Sequence, residues 1–330
     1  MNINFKTEYQ KEMYENLMKL TKEHSEVSFN DFPIPGTNFF YRIFKYSLPS
    51  YTQFLYPYAK DIRGTMFIVD KDTLQADLIA LPMQKFFNFG EGLSQEVKER
   101  NINDVKRIFI KEDSSRLTAY VSPIDDKLYF KSKSVITYSP YELIEKALSA
   151  DLEADLYKVY KEENLSICLE LTSPKNRVMM EYKENKLHVL QARCLLTGKE
   201  VDMRNEEFKA KYPAIFNALV KEVGIEDYDI NRSDIEGYVV EMNNGERLKV
   251  KTIPYLSLVA VVNIQDLKSL SAKLYTAAIN EVMDEVRTMY HYKNRSENYP
   301  IDLLIKQADV AEEYTRKTYL PMVKEITNFV

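Results

Sequence analysis

The chain has no tryptophan, two cysteines and three histidines among its 330 residues. Cys168 and Cys194 show neither metal-ligand spacing nor a disulfide framework, so they read as reduced core thiols, as in a cytosolic protein. His24, His188 and His291 are scattered and match no zinc or triad pattern. A Walker-type Gly-rich loop and a dinucleotide fingerprint are both missing, which argues against P-loop and Rossmann enzymes. No G-x-S-x-G elbow is present either. No run approaches the length of a membrane-spanning helix, so no membrane association is expected. The N-terminal MNINFKTEYQKEM is charged and lacks the apolar core of a signal peptide. An excess of positive charge is also lacking. The net charge of -5 does not indicate a general basic surface for duplex DNA, but it leaves room for a local basic site. Repeats and low-complexity linkers are absent.

What is present suffices for a sizeable core: 45% apolar residues, with 24 Tyr and 16 Phe. The length allows one large domain or two ordinary ones. Tyr9, Met13, Leu17 and Leu20 predict a helix over about 5–24, and Phe32-Pro-Ile-Pro-Gly36 breaks it off. Strands are predicted over 39–46, 64–70, 78–83, 105–110, 116–121 and 127–133, then a helix over 140–162. Further strands follow over 165–171, 177–182 and 187–192, and a helix over 206–223. Residues 234–242 and 247–251 form a hairpin closed by Asn243-Asn244-Gly245. After Leu256 the strand pattern fades, and 267–290, 301–307 and 308–329 read as helices. The expectation is an α+β protein, with a β-rich domain over 1–256 and a small helical domain over 257–330.

The stretch from Val105 to Tyr120 reads as strand, polar turn, strand, with Lys111 where the first strand ends. Apolar Ile108, Phe109 and Ile110 precede it, so its stem is half-buried. Desolvation disfavours an ammonium, and a neutral amine is a nucleophile. Four other strands carry charge at fixed places. Lys131 and Lys133 share a face in Lys127–Lys133, and so do Lys249 and Lys251 in Arg247–Lys251. Glu170 lies in Leu165–Leu171, and Glu236 enters the strand Ile235–Val240. Singly, each reads as a solvated strand face. Jointly they offer a lysine nucleophile, paired cations that can neutralise phosphate charge, and carboxylates able to hold magnesium. That inventory suits nucleotidyl transfer.

In order, these pieces resemble the covalent nucleotidyltransferases, and closely resemble the ATP-dependent phage RNA ligases that reseal broken tRNA anticodon loops. Lys111-Glu-Asp-Ser-Ser is similar to the KxDG nucleophile motif. Glu170 in Leu-Glu-Leu-Thr-Ser-Pro-Lys-Asn-Arg177 resembles the third motif, Glu236-Gly-Tyr-Val the fourth, and Lys249-Val-Lys251 with Tyr255 the fifth. Tyr41-Arg-Ile-Phe44, Arg63-Gly-Thr-Met-Phe67, Pro82-Met-Gln-Lys-Phe-Phe-Asn88 and Phe130-Lys-Ser-Lys133 resemble blocks of the tRNA-repair branch. The resemblance spans 41–255, with a fainter echo at Asp284-Glu-Val-Arg-Thr-Met-Tyr290.

The resemblance implies a ligase-type nucleotidyltransferase domain of antiparallel sheets flanked by helices, followed by a small all-helical domain. It implies ATP and Mg2+ (or Mn2+), and RNA with 5′-phosphate and 3′-hydroxyl ends, nicked tRNA included. A monomer in the cytoplasm is expected, the host's for a phage-encoded chain. Lys111 would form lysyl-AMP, pass AMP to the RNA 5′-phosphate, and leave a 3′-hydroxyl to displace it. Lys249 and Lys251 would contact the α-phosphate and lower the pKa of Lys111. Arg63, Lys85 and Lys133 would cradle the outgoing phosphates, with Tyr41 and Glu112 at the nucleotide. Glu170, Glu236 and Asp284 would serve metal positions, the two glutamates also the ribose. Ser114 and Ser134 stand where the family has glycine, and Arg116 where an apolar residue is expected. These departures suggest a slow first or third step. They also motivate the alternative of a non-catalytic RNA-binding protein on a ligase fold, alongside that of a DNA ligase or capping-type nucleotidyltransferase.

Overall fold

The computed structural model of the chain describes residues 3–47, 51–89, 102–136, 141–262, 270–279, 283, 286–287, 301–319 and 321. The chain forms two compact units built from discontinuous segments. The first takes Met1–Arg100, Ser114–Arg177 and Glu181–Lys221, and the second Asn101–Asp113, Val178–Met180 and Glu222–Val330. The sequence boundary expected at 256/257 falls within a helix of the second unit, Ile253–Val262.

In the first unit, helix α1 (Glu8–Glu23) begins where the Thr7 side chain accepts a hydrogen bond from the Gln10 N–H at 3.3 Å. That cap satisfies one of the first-turn donors. Its stripe of Met13, Tyr14, Leu17 and Leu20 packs with Phe44, Phe67 and Leu78 of an antiparallel sheet. The sheet runs β1 (Val27–Pro33), β2 (Phe39–Tyr46), β3 (Met66–Asp70), β4 (Ala76–Ala80). β1 is absent from the sequence expectation, because Val-Ser-Phe-Asn-Asp-Phe-Pro has no clean alternation and ends in proline. As an edge strand it tolerates both features. A short strand β5 (Phe87–Asn88) and the second-unit strand β6 (Val105–Lys111) follow in sequence.

The first unit's other sheet contains β7 (Ser115–Val121), β8 (Leu128–Lys131), β9 (Leu165–Thr172), β10 (Lys186–Cys194) and β11 (Glu200–Val201). Their order is β11-β10-β9-β7-β8, with every pairing antiparallel. One face carries Leu117, Ala119, Ile167, Leu169, Leu171, Leu187 and Val189, and is covered by α2 (Tyr141–Ala147), α3 (Ala150–Glu163), α4 (Glu206–Lys211) and α5 (Pro213–Asn217). The helix expected over 140–162 is two helices, because Ser149 caps α3 by accepting from Leu152 N–H at 3.2 Å. The helix expected over 206–223 ends at Lys211. Pro213 starts α5, where its missing N–H costs nothing. Glu222–Val223 then forms strand β12.

The second unit orders β12-β6-β13-β14, where β13 is Gly237–Met242 and β14 is Arg247–Lys251. Ile108, Ile110, Val223, Ile235 and Tyr238 form its apolar cluster. Helices α6 (Ile253–Val262), α7 (Leu270–Ile279) and α8 (Ile301–Tyr314) complete it, with Tyr275 and Tyr314 packed edge-on between α7 and α8. The break expected between 307 and 308 does not occur, since α8 runs through it.

The segment 177–182, expected as a strand, has no strand partner. Its backbone donors go elsewhere. Asp113, 5% exposed, accepts from Met179 N–H at 2.7 Å and Met180 N–H at 2.9 Å through Oδ2. Its Oδ1 accepts from the Tyr255 hydroxyl at 2.9 Å. A buried carboxylate with these donors fixes the chain just past Lys111 to the start of α6.

Two outcomes follow for stability. Asp113→Ala strands these buried donors, so urea unfolding should show a loss of about 3 kcal/mol, against about 1 kcal/mol for Tyr255→Phe. Equal losses would refute the clamp. His188 on β10, half-buried with Nε2 3.1 Å from Thr172 Oγ1, is held down to about 4, first by burial and then by Lys186. The unfolded chain takes up that proton below about 6.5 and the folded chain only near 4, so stability present above pH 6.5 is lost as pH falls towards 4. His188→Gln should flatten that acid limb in thermal unfolding between those pH values. An unchanged slope would contradict the assignment.

Candidate active site

In the second unit, Lys111 ends β6, Gly237 begins β13 and Lys251 ends β14, and the register sets them side by side as Lys111↔Gly237↔Lys251. The middle position must lack a side chain. Gly237 has φ +156, and a Cβ there would lie 2.2 Å from the Val250 carbonyl oxygen. Both lysines therefore reach Glu236, the residue before it. Lys111 Nζ donates to Glu236 Oε2, and Lys251 Nζ lies 3.1 Å from Glu236 Oε1. The Glu236 side chain is 5% exposed, whereas those of Lys111 and Lys251 keep 22% and 26%. A buried carboxylate thus orients two ammoniums whose tips stay accessible. Lys251 also lies 4.9 Å over the Tyr255 ring. Lys249 sits one pleat along β14, opposite Val239, on the face of Lys251. Glu112 follows Lys111 and is half-buried.

Further candidates lie in the first unit, on the polar face of the β11-β10-β9-β7-β8 sheet. Cross-strand rows there read Lys131↔Thr118↔Cys168 and Arg116↔Glu170↔His188. This face opposes the apolar one, as strict alternation requires. An Arg116 Nη donates to the Arg63 carbonyl at 3.1 Å. Lys131 is 1% exposed and donates to the Gly64 and Ser132 carbonyls at 2.6 and 2.8 Å. Gly64 has φ +100, and a Cβ would stand 2.8 Å from the Lys133 carbonyl oxygen and 3.0 Å from Lys131 Nζ, so glycine is required for this approach. Lys133 Nζ sits 4.0 Å over the Tyr46 ring.

The cations here outnumber their carboxylates. Burial, then Arg116, pulls Arg63 down to about 10, with Glu170 among the opposing influences. Burial, then Arg63, Arg116, Lys85 and Lys45, pushes Lys133 down. The Arg63 Nε is buried with no hydrogen-bond partner among the described residues. A crowd of cations around an orphaned guanidinium N–H is an anion-binding arrangement.

The loops bearing Arg63 and Lys85 are joined from beneath. Arg193 and Asp61, with side chains 6% and 2% exposed, pair at 2.5 Å. Asp61 Oδ2 accepts from Gln84 at 3.0 Å, Arg193 donates to the Pro82 carbonyl at 2.8 Å, and Lys85 N–H to the Lys60 carbonyl at 2.8 Å.

The structure thus brings together Lys111, Glu236, Lys251 and Tyr255 in one unit, with Lys249 beside them. It brings together Arg63, Lys85, Lys133 and Glu170 in the other. Tyr41 is buried, donates to Ser122 Oγ at 3.1 Å and packs edge-on against Tyr120, so its partners are core residues and not these cations. Asp284 lies outside the described residues. Sequence reasoning did not assign roles to Asp61, Gln84 or Arg193, and it gave Lys131 only as one of a pair of strand cations able to neutralise phosphate charge. The signals for the first two were their positions two residues from Arg63 and one from Lys85; Arg193 had none. Ser114, the residue in place of glycine, has no positive φ, and its hydroxyl donates to the Leu171 carbonyl.

The sequence model of the RNA ligase family matches residues 61–256. Two solved structures of an archaeal ATP-dependent RNA ligase, forms 1 and 2, resemble this chain with TM-scores of 0.51 and 0.52 and identities of 13% and 15%. In both cases the match covers 88% of this chain and 78% of the other. The mixed architecture of antiparallel sheets and helices is therefore one that ligases share. The matched stretch holds Lys111, Glu170, Glu236, Lys249, Lys251 and Tyr255, together with the Arg63, Lys85 and Lys133 blocks, and on that match this chain belongs to the RNA ligase family.

Proposed function

We propose that the protein is an ATP-dependent RNA ligase that joins a 5′-phosphate to a 3′-hydroxyl through lysyl-AMP and RNA-adenylate intermediates. The observation that carries this reading is the Lys111–Glu236–Lys251 cluster at the ends of adjoining strands. Lys111 Nζ attacks the α-phosphorus of ATP, a phosphoramidate bond forms, and pyrophosphate leaves. The attacking amine must first shed its proton, and Glu236, already accepting from Nζ, is the base in contact with it. Lys249 and Lys251 stabilise the charge that builds on the α-phosphate. Arg63, Lys85 and Lys133 bind the departing phosphates. AMP then moves to the RNA 5′-phosphate, and the 3′-hydroxyl displaces it.

Divalent metal use is part of the proposal. Among the described residues no group of three or more His, Cys, Asp or Glu is gathered where an ion could sit. The candidate ligands Glu170 and Glu236 are single carboxylates with cations beside them. That donor set fits an ion held largely by phosphates and water, as Mg2+ commonly is, and not a protein-only cage. When bound, Mg2+ or Mn2+ would supply charge neutralisation on the phosphates. RNA repair, with nicked tRNA as one substrate, and a distinct helical domain over 257–330 belong to the same proposal. Among the described residues no helix is long and apolar enough to cross a membrane.

Incubation with ATP labelled at the α-phosphate and Mg2+ should label the protein. Lys111→Ala should abolish the label, and Lys251→Ala should slow its formation by about a hundredfold or more. Label surviving in Lys111→Ala would move the nucleophile elsewhere. RNA binding with no adenylate under any metal or pH would favour a non-catalytic binder.

A further inference from the structure

The cations of the first unit include one that the proposed chemistry does not use. Lys131 is buried in the sheet, with no carboxylate in contact among the described residues. The groups facing it are the Gly64 carbonyl from the Arg63-Gly64 loop, the Ser132 carbonyl on its own strand, Thr118 and Arg116 from β7, and Cys168 from β9. An ammonium has three donors, and the third here has no acceptor among the described residues. The Arg63 Nε, one residue before Gly64, is likewise buried without a partner among the described residues. Burying an uncompensated ammonium beside the Arg116 guanidinium is costly, and a bound anion is what would compensate it.

Lys131 also links two of the cation-bearing blocks. Its bond to Gly64 holds the Arg63 loop against the strand end that leads, through Ser132, to Lys133. A neutral amine keeps two donors and so keeps the link. Only the protonated form adds charge.

We propose that Lys131 is a positioning residue of the polyphosphate site, holding the Arg63-Gly64 loop to the Lys133 strand end and completing, from beneath, the positive charge that meets a bound pyrophosphate group. The inference rests on the nucleotidyl-transfer reading above. Burial, with a further contribution from Arg116, lowers Lys131 to about 7 in the free protein, so at pH 8 it is mostly neutral there. An incoming anion favours the ammonium, which makes binding consume a proton at that pH and weakens binding as pH rises.

The test is calorimetric titration of inorganic pyrophosphate into the full chain at pH 8, in two buffers of different ionisation enthalpy. Wild type should take up protons on binding. Lys131→Met should take up fewer and bind at least tenfold more weakly, while Lys133→Met should bind more weakly with its proton uptake intact. A folded Lys131→Met with wild-type affinity and uptake overturns the proposal. If that variant does not fold, 13C-lysine NMR of the wild type decides. One lysine should titrate near neutrality, with a midpoint that rises when pyrophosphate is added, and a midpoint that stays put overturns the proposal. Wild type that is adenylated but binds pyrophosphate independently of Lys131 sinks this inference alone. Wild type that is never adenylated sinks the reading beneath it.

Discussion

One buried carboxylate organises the second unit's chemistry. Glu236 holds two lysine ammoniums from two different strands, and it can do so only because Gly237 leaves the gap between them empty. A side chain at 237 would collide with the Val250 carbonyl and spread β13 from β14. The Glu-Gly pair is thus a single device: the glutamate supplies the charge, and the glycine supplies the space. Buried ion pairs add little net stability, because desolvation offsets the Coulomb attraction. Their value here is geometric, since they fix where Nζ of Lys111 points.

The two units handle charge in opposite ways. In the second, Lys111 and Lys251 share the Glu236 carboxylate. In the first, burial and then neighbouring cations, Arg116 among them, pull down Arg63, Lys131 and Lys133, and Glu170 is a carboxylate on the sheet face beside Arg116. Buried scaffolding keeps this repulsive set in place. The Arg193–Asp61 pair ties the Arg63 and Lys85 loops, and Gly64 allows the close backbone approach to Lys133. A site that is electrostatically strained when empty is relieved by a phosphate, and that strain favours binding a polyanion over a neutral ligand.

Much of this was legible in the sequence. Alternation located β2, β6, β7, β9 and β14 to within a residue or two, and the paired lysines of β14 sit on one face as their spacing requires. The ordered motifs named Lys111, Glu170, Glu236 and Lys251 as candidates before any geometry was known. What escaped depends on long-range partners. Asp113 reads as the second half of a nucleophile motif, and nothing local shows that it captures the Met179 and Met180 N–H groups and so removes the strand expected over 177–182. Arg193, in an ordinary strand, pairs with a residue 132 positions away. Tyr41 stands in a motif-like block but is a core residue, because periodicity cannot tell which face of a sheet buried on both sides a residue will join. Ser114 looked like a defect of the turn. Its backbone has no need of glycine, and its hydroxyl gains a carbonyl partner.

The central claim is that Lys111 is the atom donor for a covalent nucleotide. Peptide mass spectrometry of the wild-type protein after incubation with ATP and Mg2+ tests it most directly. The account predicts a single AMP adduct, on the peptide containing Lys111. An adduct on any other residue, or none under conditions where the protein seals RNA, would contradict it.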